Sequence, residues 1–135
     1  MNCLDSSYLV DFLDSDRARH GAARRWMETH GNEPMYTATF ALWEVLRGAA
    51  GLEGADAVED LRAELGWLTS LPFSAEAAAE AATIEAELRA DGAEINTADY
   101  PIAGTARNAG ATLVTTDPDF ERVRGLDVVR YDAGD

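Results

Sequence analysis

Gly110-Ala111-Thr112-Leu113-Val114-Thr115-Thr116-Asp117-Pro118-Asp119-Phe120 is the stretch on which the fold turns. Ala111 to Val114 is the clearest strand of the chain, apolar or β-branched and set after a glycine. The hydroxyl and acidic residues beyond it end the strand, and Pro118, lacking an N–H, could not continue a ladder. Working outward, Leu126 to Val129 reads as one more strand. On the upstream side a helix runs through Asn108, with Pro101 in its first turn, where a missing N–H costs little.

The same alternation extends to the start of the chain. Cys3-Leu4 is a short apolar run, and Tyr8, Leu9, Phe12 and Leu13 then recur at helical spacing up to Asp14-Ser15-Asp16. Arg17 to Thr29 continues a helical pattern, with Ala22, Trp26 and Met27 facing inward and Arg17, Arg19, Arg24 and Arg25 facing outward. A brief strand, Met35 to Thr37, precedes a helix from about Thr39 to Ala50 that closes at Gly51. A further helix is expected from Ala55 to Trp67, with Val58, Leu61, Leu65 and Leu68 in register, and a third strand at Leu71-Pro72-Phe73. Ser74 caps an alanine-rich helix that stops at Gly92. Short strands alternating with helices imply a parallel sheet, because parallel strands need crossovers and the helices supply them. The expectation is one α/β domain over residues 1–135, a three-layer sandwich with a central parallel sheet of about five short strands flanked by helices.

Composition excludes several chemistries. Among 135 residues, 25 are acidic and 11 basic, for a formal charge of -14 and a pI near 4.3, so a broad cationic nucleic-acid surface is ruled out. Every basic residue counted there is arginine, which removes Walker-A loops, Schiff-base enzymes and phosphatases that need a lysine on the phosphoryl group. An acidic, lysine-free chain also suggests a proteome adapted to high salt, such as that of a halophilic archaeon, where ions screen the repulsion among surface carboxylates. Cys3 is the single cysteine, so neither an internal disulfide nor a cysteine zinc site can form. No basic stretch leads into an apolar one at the start, and no window approaches ~20 apolar residues, giving the expectation of a soluble cytoplasmic protein without membrane partners.

In an open parallel sheet, ligands bind beyond the carboxyl ends of the strands. Asp5 and Asp117 fall there directly, with Ser7, Thr115 and Thr116 beside them as short hydroxyl donors. Glu44 is embedded in Phe40-Ala41-Leu42-Trp43-Glu44-Val45-Leu46, apolar almost all round. Asp99 shares a helical stripe with Ile102, Ala103 and Ala106. Each position also has an ordinary explanation: helix capping for Asp5, Asp99 and Asp117, and an intrahelical pair with Arg47 for Glu44. If the acids converge they repel, by roughly 3 kcal/mol per pair ~5 Å apart at an effective dielectric of 20, and a divalent cation would relieve that. All-oxygen ligands point to Mg²⁺ or Mn²⁺ rather than zinc. His20 and His30 read as surface helix residues with no ligand role.

Leu4-Asp5-Ser6-Ser7-Tyr8-Leu9-Val10, Phe40 to Gly48 around Glu44, Asp99-Tyr100-Pro101-Ile102-Ala103-Gly104-Thr105-Ala106 and Gly110 to Phe120 together resemble the ordered motifs of PIN-domain ribonucleases, closest to the VapC toxins of VapBC toxin–antitoxin modules. The resemblance spans essentially the whole chain, with one departure at Pro101-Ile102-Ala103-Gly104, where members commonly have a less constrained, alanine-rich turn. It implies that Asp5, Glu44, Asp99 and Asp117 are catalytic metal-site acids, Asp119 an auxiliary acid, and Ser7 and Thr115 supporting hydroxyls. It further implies a metal-dependent endoribonuclease, a VapB-type antitoxin and a homodimer, while Arg17, Arg19, Arg24 and Arg25 could follow an RNA backbone or form a solvated helix face. Two rival readings are a non-catalytic PIN-like binding module and a haloacid-dehalogenase-like phosphatase. The latter lacks its second aspartate, since Ser7 stands there, and its lysine.

Overall fold

The computed structural model describes residues 1–133. Its strands are β1 (Asn2–Leu4), β2 (Met35–Ala38), β3 (Leu68–Leu71), β4 (Thr112–Thr115) and β5 (Asp127–Arg130). Its helices are α1 (Ser6–Leu13), α2 (His20–His30), α3 (Thr39–Glu53), α4 (Asp56–Glu64), α5 (Ala75–Ala90) and α6 (Asp99–Asn108), with a 3₁₀ turn over Pro118–Arg122. All strand pairs are parallel and the sheet order is β3-β2-β1-β4-β5. The α/β architecture with a five-strand parallel sheet is as expected from the sequence.

Side chains alternate across each strand and so feed two cores. Cys3, Ala38 and Leu113 face a layer formed with Ile84 and Leu88 of α5 and Ile102, Ala103 and Ala106 of α6. Leu4, Met35 and Val114 face the opposite layer, with Tyr8, Leu9, Ala23 and Val45. Full burial of a Leu or Ile side chain stabilises by roughly 1.5–3 kcal/mol. The α5–α6 layer is packed more closely than side chains normally allow. At Gly104 an added Cβ would lie 2.7 Å from the backbone nitrogen of Ala81 and 2.8 Å from the carbonyl oxygen of Ala77. That close approach accounts for glycine in the unusual Pro101 to Gly104 turn.

Several boundaries differ from the sequence expectation. The third strand is Leu68–Leu71, not Leu71 to Phe73, and α4 ends at Glu64. Leu68 therefore belongs to the strand paired with Met35, and its helical register was coincidental. Pro72, with no N–H to donate, follows the strand instead of lying within it. Helix α3 runs on to Glu53 and closes at Gly54, whose φ is 91°. Helix α2 starts at His20, because the preceding residues form a turn in which Arg17 N–H donates to the Asp14 carbonyl and His20 N–H to that of Arg17, both at 3.1 Å. Arg17 and Arg19 thus leave the outer face of α2, and only Arg24 and Arg25 remain on it. No helix among the described residues is long and apolar enough to cross a membrane.

Candidate active site

The strand order reverses at β1, flanked by β2 on one side and β4 on the other. Diverging crossovers at such a point open a crevice at the carboxyl ends of the strands. Asp5 and Thr115 to Asp117 sit there because β1 and β4 pair in register, Leu4 opposite Val114, with Asp5 N–H donating to the Val114 carbonyl at 3.0 Å.

Asp5 is buried at the N-terminus of α1, yet its side chain makes no capping hydrogen bond. Its Oδ2 accepts from Thr115 Oγ1 at 2.8 Å and from Ser7 Oγ at 3.2 Å, while Oδ1 is buried without a partner. Asp99 stands in the first turn of α6 beyond an Ala98 cap, and its Oδ2 is likewise buried and unpartnered. Capping therefore explains neither residue. Glu44 Oε1 is a third orphan, because Arg47 lies over the Trp43 ring, 4.6 Å from its centroid, instead of pairing with the carboxylate. Asp117 differs: its Oδ1 accepts from Asp119 N–H at 2.9 Å and caps the 3₁₀ turn, so here the ordinary explanation holds alongside any other role. Asp119 is paired with Arg122 at 3.3 Å.

Electrostatics tie these acids together. The Asp99 carboxyl is pushed up to about 7, first by burial and then by the charges of Asp117, Asp5, Glu44 and Asp119. Burial pushes Asp5 up to about 6, against the opposing hydrogen bonds from Thr115, Ser6 and Ser7, and the charge of Glu44 adds to the rise. The charges of these carboxylates act on one another without a finished cage: among the described residues no three His, Cys, Asp or Glu groups already stand at metal-binding spacing. The donor set nevertheless fits a hard divalent cation. Three unpartnered buried oxygens come from three different helical segments, and neither histidine competes. His20 Nδ1 donates to the Asp11 carbonyl oxygen and His30 Nδ1 to that of Trp26, and both are partly exposed residues of α2.

The other arginines expected near nucleic acid disperse. Arg19 pairs with Asp132 at 3.1 Å, Arg24 lies 5.9 Å from the Phe12 ring centroid, and Arg25 lies on the exposed side of α2. Arg17 lines a cleft of about 230 Å³ together with Ser6, Ser7, Val10, Glu44 and Val45. Its Nε donates at 3.1 Å to Asp11, a buried carboxylate that the sequence reading passed over. The signal was present: Asp11 interrupts the apolar face of α1 four residues after Ser7, hence on the same side of the helix.

Comparison with known proteins places the fold. Among solved structures, the DNA-bound VapBC of Salmonella typhimurium superposes with a TM-score of 0.81 at 23% identity, covering 96% of this chain and 97% of that one. FitAcB of Neisseria gonorrhoeae gives 0.81 at 23% identity over 99% and 100% of the two chains. VapC20 of Mycobacterium tuberculosis, a toxin that cleaves the sarcin-ricin loop, gives 0.70 at 21% identity over 90% and 94%. At these identities the likeness concerns the fold. No curated protein sequence matches at a significant level. The PIN domain family model matches residues 3–126, the span that carries all of these acids, and the chain therefore belongs to the PIN domain family.

Proposed function

We propose that the protein is a divalent-metal-dependent endoribonuclease and the toxin of a VapBC-type toxin–antitoxin module. The observation that carries the reading is the set of buried, unpartnered oxygens of Asp5, Glu44 and Asp99 at the point where the strand order reverses. Asp5, Glu44, Asp99 and Asp117 would hold Mg²⁺ or Mn²⁺. Such an ion, when bound, supplies activation of water for in-line attack on a phosphodiester and stabilisation of the leaving 3'-oxygen, giving 5'-phosphate and 3'-hydroxyl ends. Thr115 and Ser7 orient the carboxylate by occupying Asp5 Oδ2, which leaves Oδ1 available as a ligand. Asp117 N–H donates to Thr115 Oγ1 at 3.0 Å, so the same hydroxyl joins two of the acids. Outer partners of this kind are worth roughly 10–100-fold in metal affinity, the loss expected for Thr115→Val.

The test is cleavage of single-stranded RNA with Mg²⁺ or Mn²⁺. Asp5→Asn and Asp99→Asn should reduce it to background while circular dichroism stays native, and unchanged cleavage in both would overturn the assignment. Likeness to toxins solved with their antitoxins supports a VapB-type antitoxin here, so wild type expressed alone should arrest growth where Asp5→Asn does not. A non-catalytic PIN-like module is the outcome if metal binds and no RNA is cut.

The charge of -14 supports adaptation to high salt. The melting temperature should rise as KCl goes from dilute to molar, because surface carboxylates repel and ions screen them. A flat or falling curve would refute this.

A further inference from the structure

Arg17 is held by more structure than a surface ion pair requires. Half of its side chain is exposed, while the Asp11 side chain that holds it is 3% exposed. The remaining Asp11 oxygen, Oδ2, accepts from Tyr131 Oη at 2.5 Å across 120 residues of sequence. The intervening loop is tied down as well: Asp16 N–H donates to Asp14 Oδ1 at 2.9 Å, and His20 Nδ1 to the Asp11 carbonyl at 2.9 Å. An exposed pair contributes ~0–1 kcal/mol, and burying a carboxylate costs more than that unless its geometry is excellent. Stability alone thus gives little reason for the arrangement.

Its position gives a better one. Nε of Arg17 is committed to Asp11, while the terminal amino groups retain four N–H donors on the fork. The side chain lines the cleft that contains Glu44. A polyanion approaching a protein of charge -14 meets net repulsion, and Arg17 is the cationic side chain among the residues that line this cleft. A planar guanidinium held from behind can take a phosphate with two parallel hydrogen bonds.

The geometry points to Arg17 as a phosphate clamp for the RNA strand entering the acidic cleft, with Asp11 and Tyr131 as positioning residues that hold its guanidinium in place. This inference rests on the nuclease reading and adds to it a substrate contact built from both ends of the chain.

The test is cleavage kinetics on a mixed-sequence single-stranded RNA oligonucleotide at saturating Mn²⁺ over a KCl series. Arg17→Gln should raise KM roughly 10-fold, the range for a hydrogen bond to a charged group, with kcat within about twofold. It should also flatten the dependence of log(1/KM) on log[KCl] by about 0.7, the change expected when one phosphate contact on a single strand is lost. A structural role would not move that slope. Arg24→Gln, a charge change on the outer face of α2, should leave both quantities unchanged. Tyr131→Phe keeps the Arg17 charge and should raise KM with the slope retained. If Arg17→Gln does not fold, Arg17→Lys decides the matter: an unchanged slope with raised KM supports the clamp, and unchanged KM overturns it. Wild-type KM and slope in folded Arg17→Gln would overturn the clamp while leaving the nuclease reading intact, whereas no cleavage by wild type would remove both.

Discussion

Asp5→Asn is expected to make the metal-free protein more stable at pH 8 while abolishing cleavage. The reason is proton linkage. Asp5 has its carboxyl raised from an ordinary 3.8 to about 6. The folded state therefore keeps a proton that the unfolded chain has already released, so this contribution to stability is full below about 3.8 and is lost as pH rises through about 6. Asp99, raised to about 7, acts in the same direction over a slightly higher window. For Asp5 the loss is on the order of 3 kcal/mol at ~1.4 kcal/mol per pH unit. An asparagine carries no charge to desolvate and can still accept from Thr115, so the substitution removes this loss. In EDTA, urea unfolding should show the variant ahead by about 2–3 kcal/mol at pH 8 and level with wild type at pH 4, since there both carry a neutral group. Because the surface acids titrate in both proteins, the difference reports Asp5 together with the relief of Asp99, which no longer feels the Asp5 charge.

Metal should close that gap. A cation at 100 times its dissociation constant stabilises the folded state by ~2.7 kcal/mol, and that increment should be present in wild type at pH 8 and absent in Asp5→Asn. Molar KCl in both samples saturates nonspecific screening. Equal stabilities at pH 8 in EDTA, together with equal responses to Mn²⁺, would mean that Asp5 is neither strained nor a ligand.

Among the glycines of the described residues, Gly104 should be the one at which an added methyl is most destabilising. Its Cβ would sit 2.7 Å from Ala81 Cβ, 2.7 Å from Ala81 N and 2.8 Å from the Ala77 carbonyl oxygen. Two of these are backbone atoms inside α5, so no rotamer change can make room and the two helices must separate. Overpacking of a tight core costs ~1–3 kcal/mol and occasionally more, and backbone clashes put this case at about 3 kcal/mol or above. For a domain of this size that corresponds to a fall of roughly 10 °C in melting temperature. Gly48→Ala provides the contrast, since it lies within α3 with no atom near the added methyl. Helix propensity alone should make it more stable by about 0.5–1 kcal/mol. A Gly104→Ala protein that melts with wild type would show that α5 and α6 are not locked at this crossing. Because Asp99 begins α6, the substitution should also weaken Mn²⁺ binding.

The amino-acid sequence by itself determined the order and type of nearly every element, and it singled out Asp5, Glu44, Asp99 and Asp117. Those signals are local: an apolar run such as Ala111 to Val114, the Ser74 cap that accepts from Ala77 N–H, and Gly92 with φ of 65° closing α5. The placement of Asp5 beside Asp117 was legible once the sheet was inferred to be parallel, because parallel order sends the ends of β1 and β4 to one edge. The tertiary structure decided what each carboxylate does with its oxygens. Asp117 uses one as a cap and Asp5 does not, although both follow a strand and precede a helical turn. Arg47 had a carboxylate three residues away and took the Trp43 face. Leu68 matched a helical stripe and became a strand residue because Met35 lies across from it. Asp11 acquires its meaning from Tyr131 at the far end of the chain, and no local pattern specifies which of two distant polar groups will be buried together. Capping and periodicity act within a few residues and can be read along the chain. Burial, and with it the pairing or orphaning of a charge, depends on which segments the packed sheet brings together.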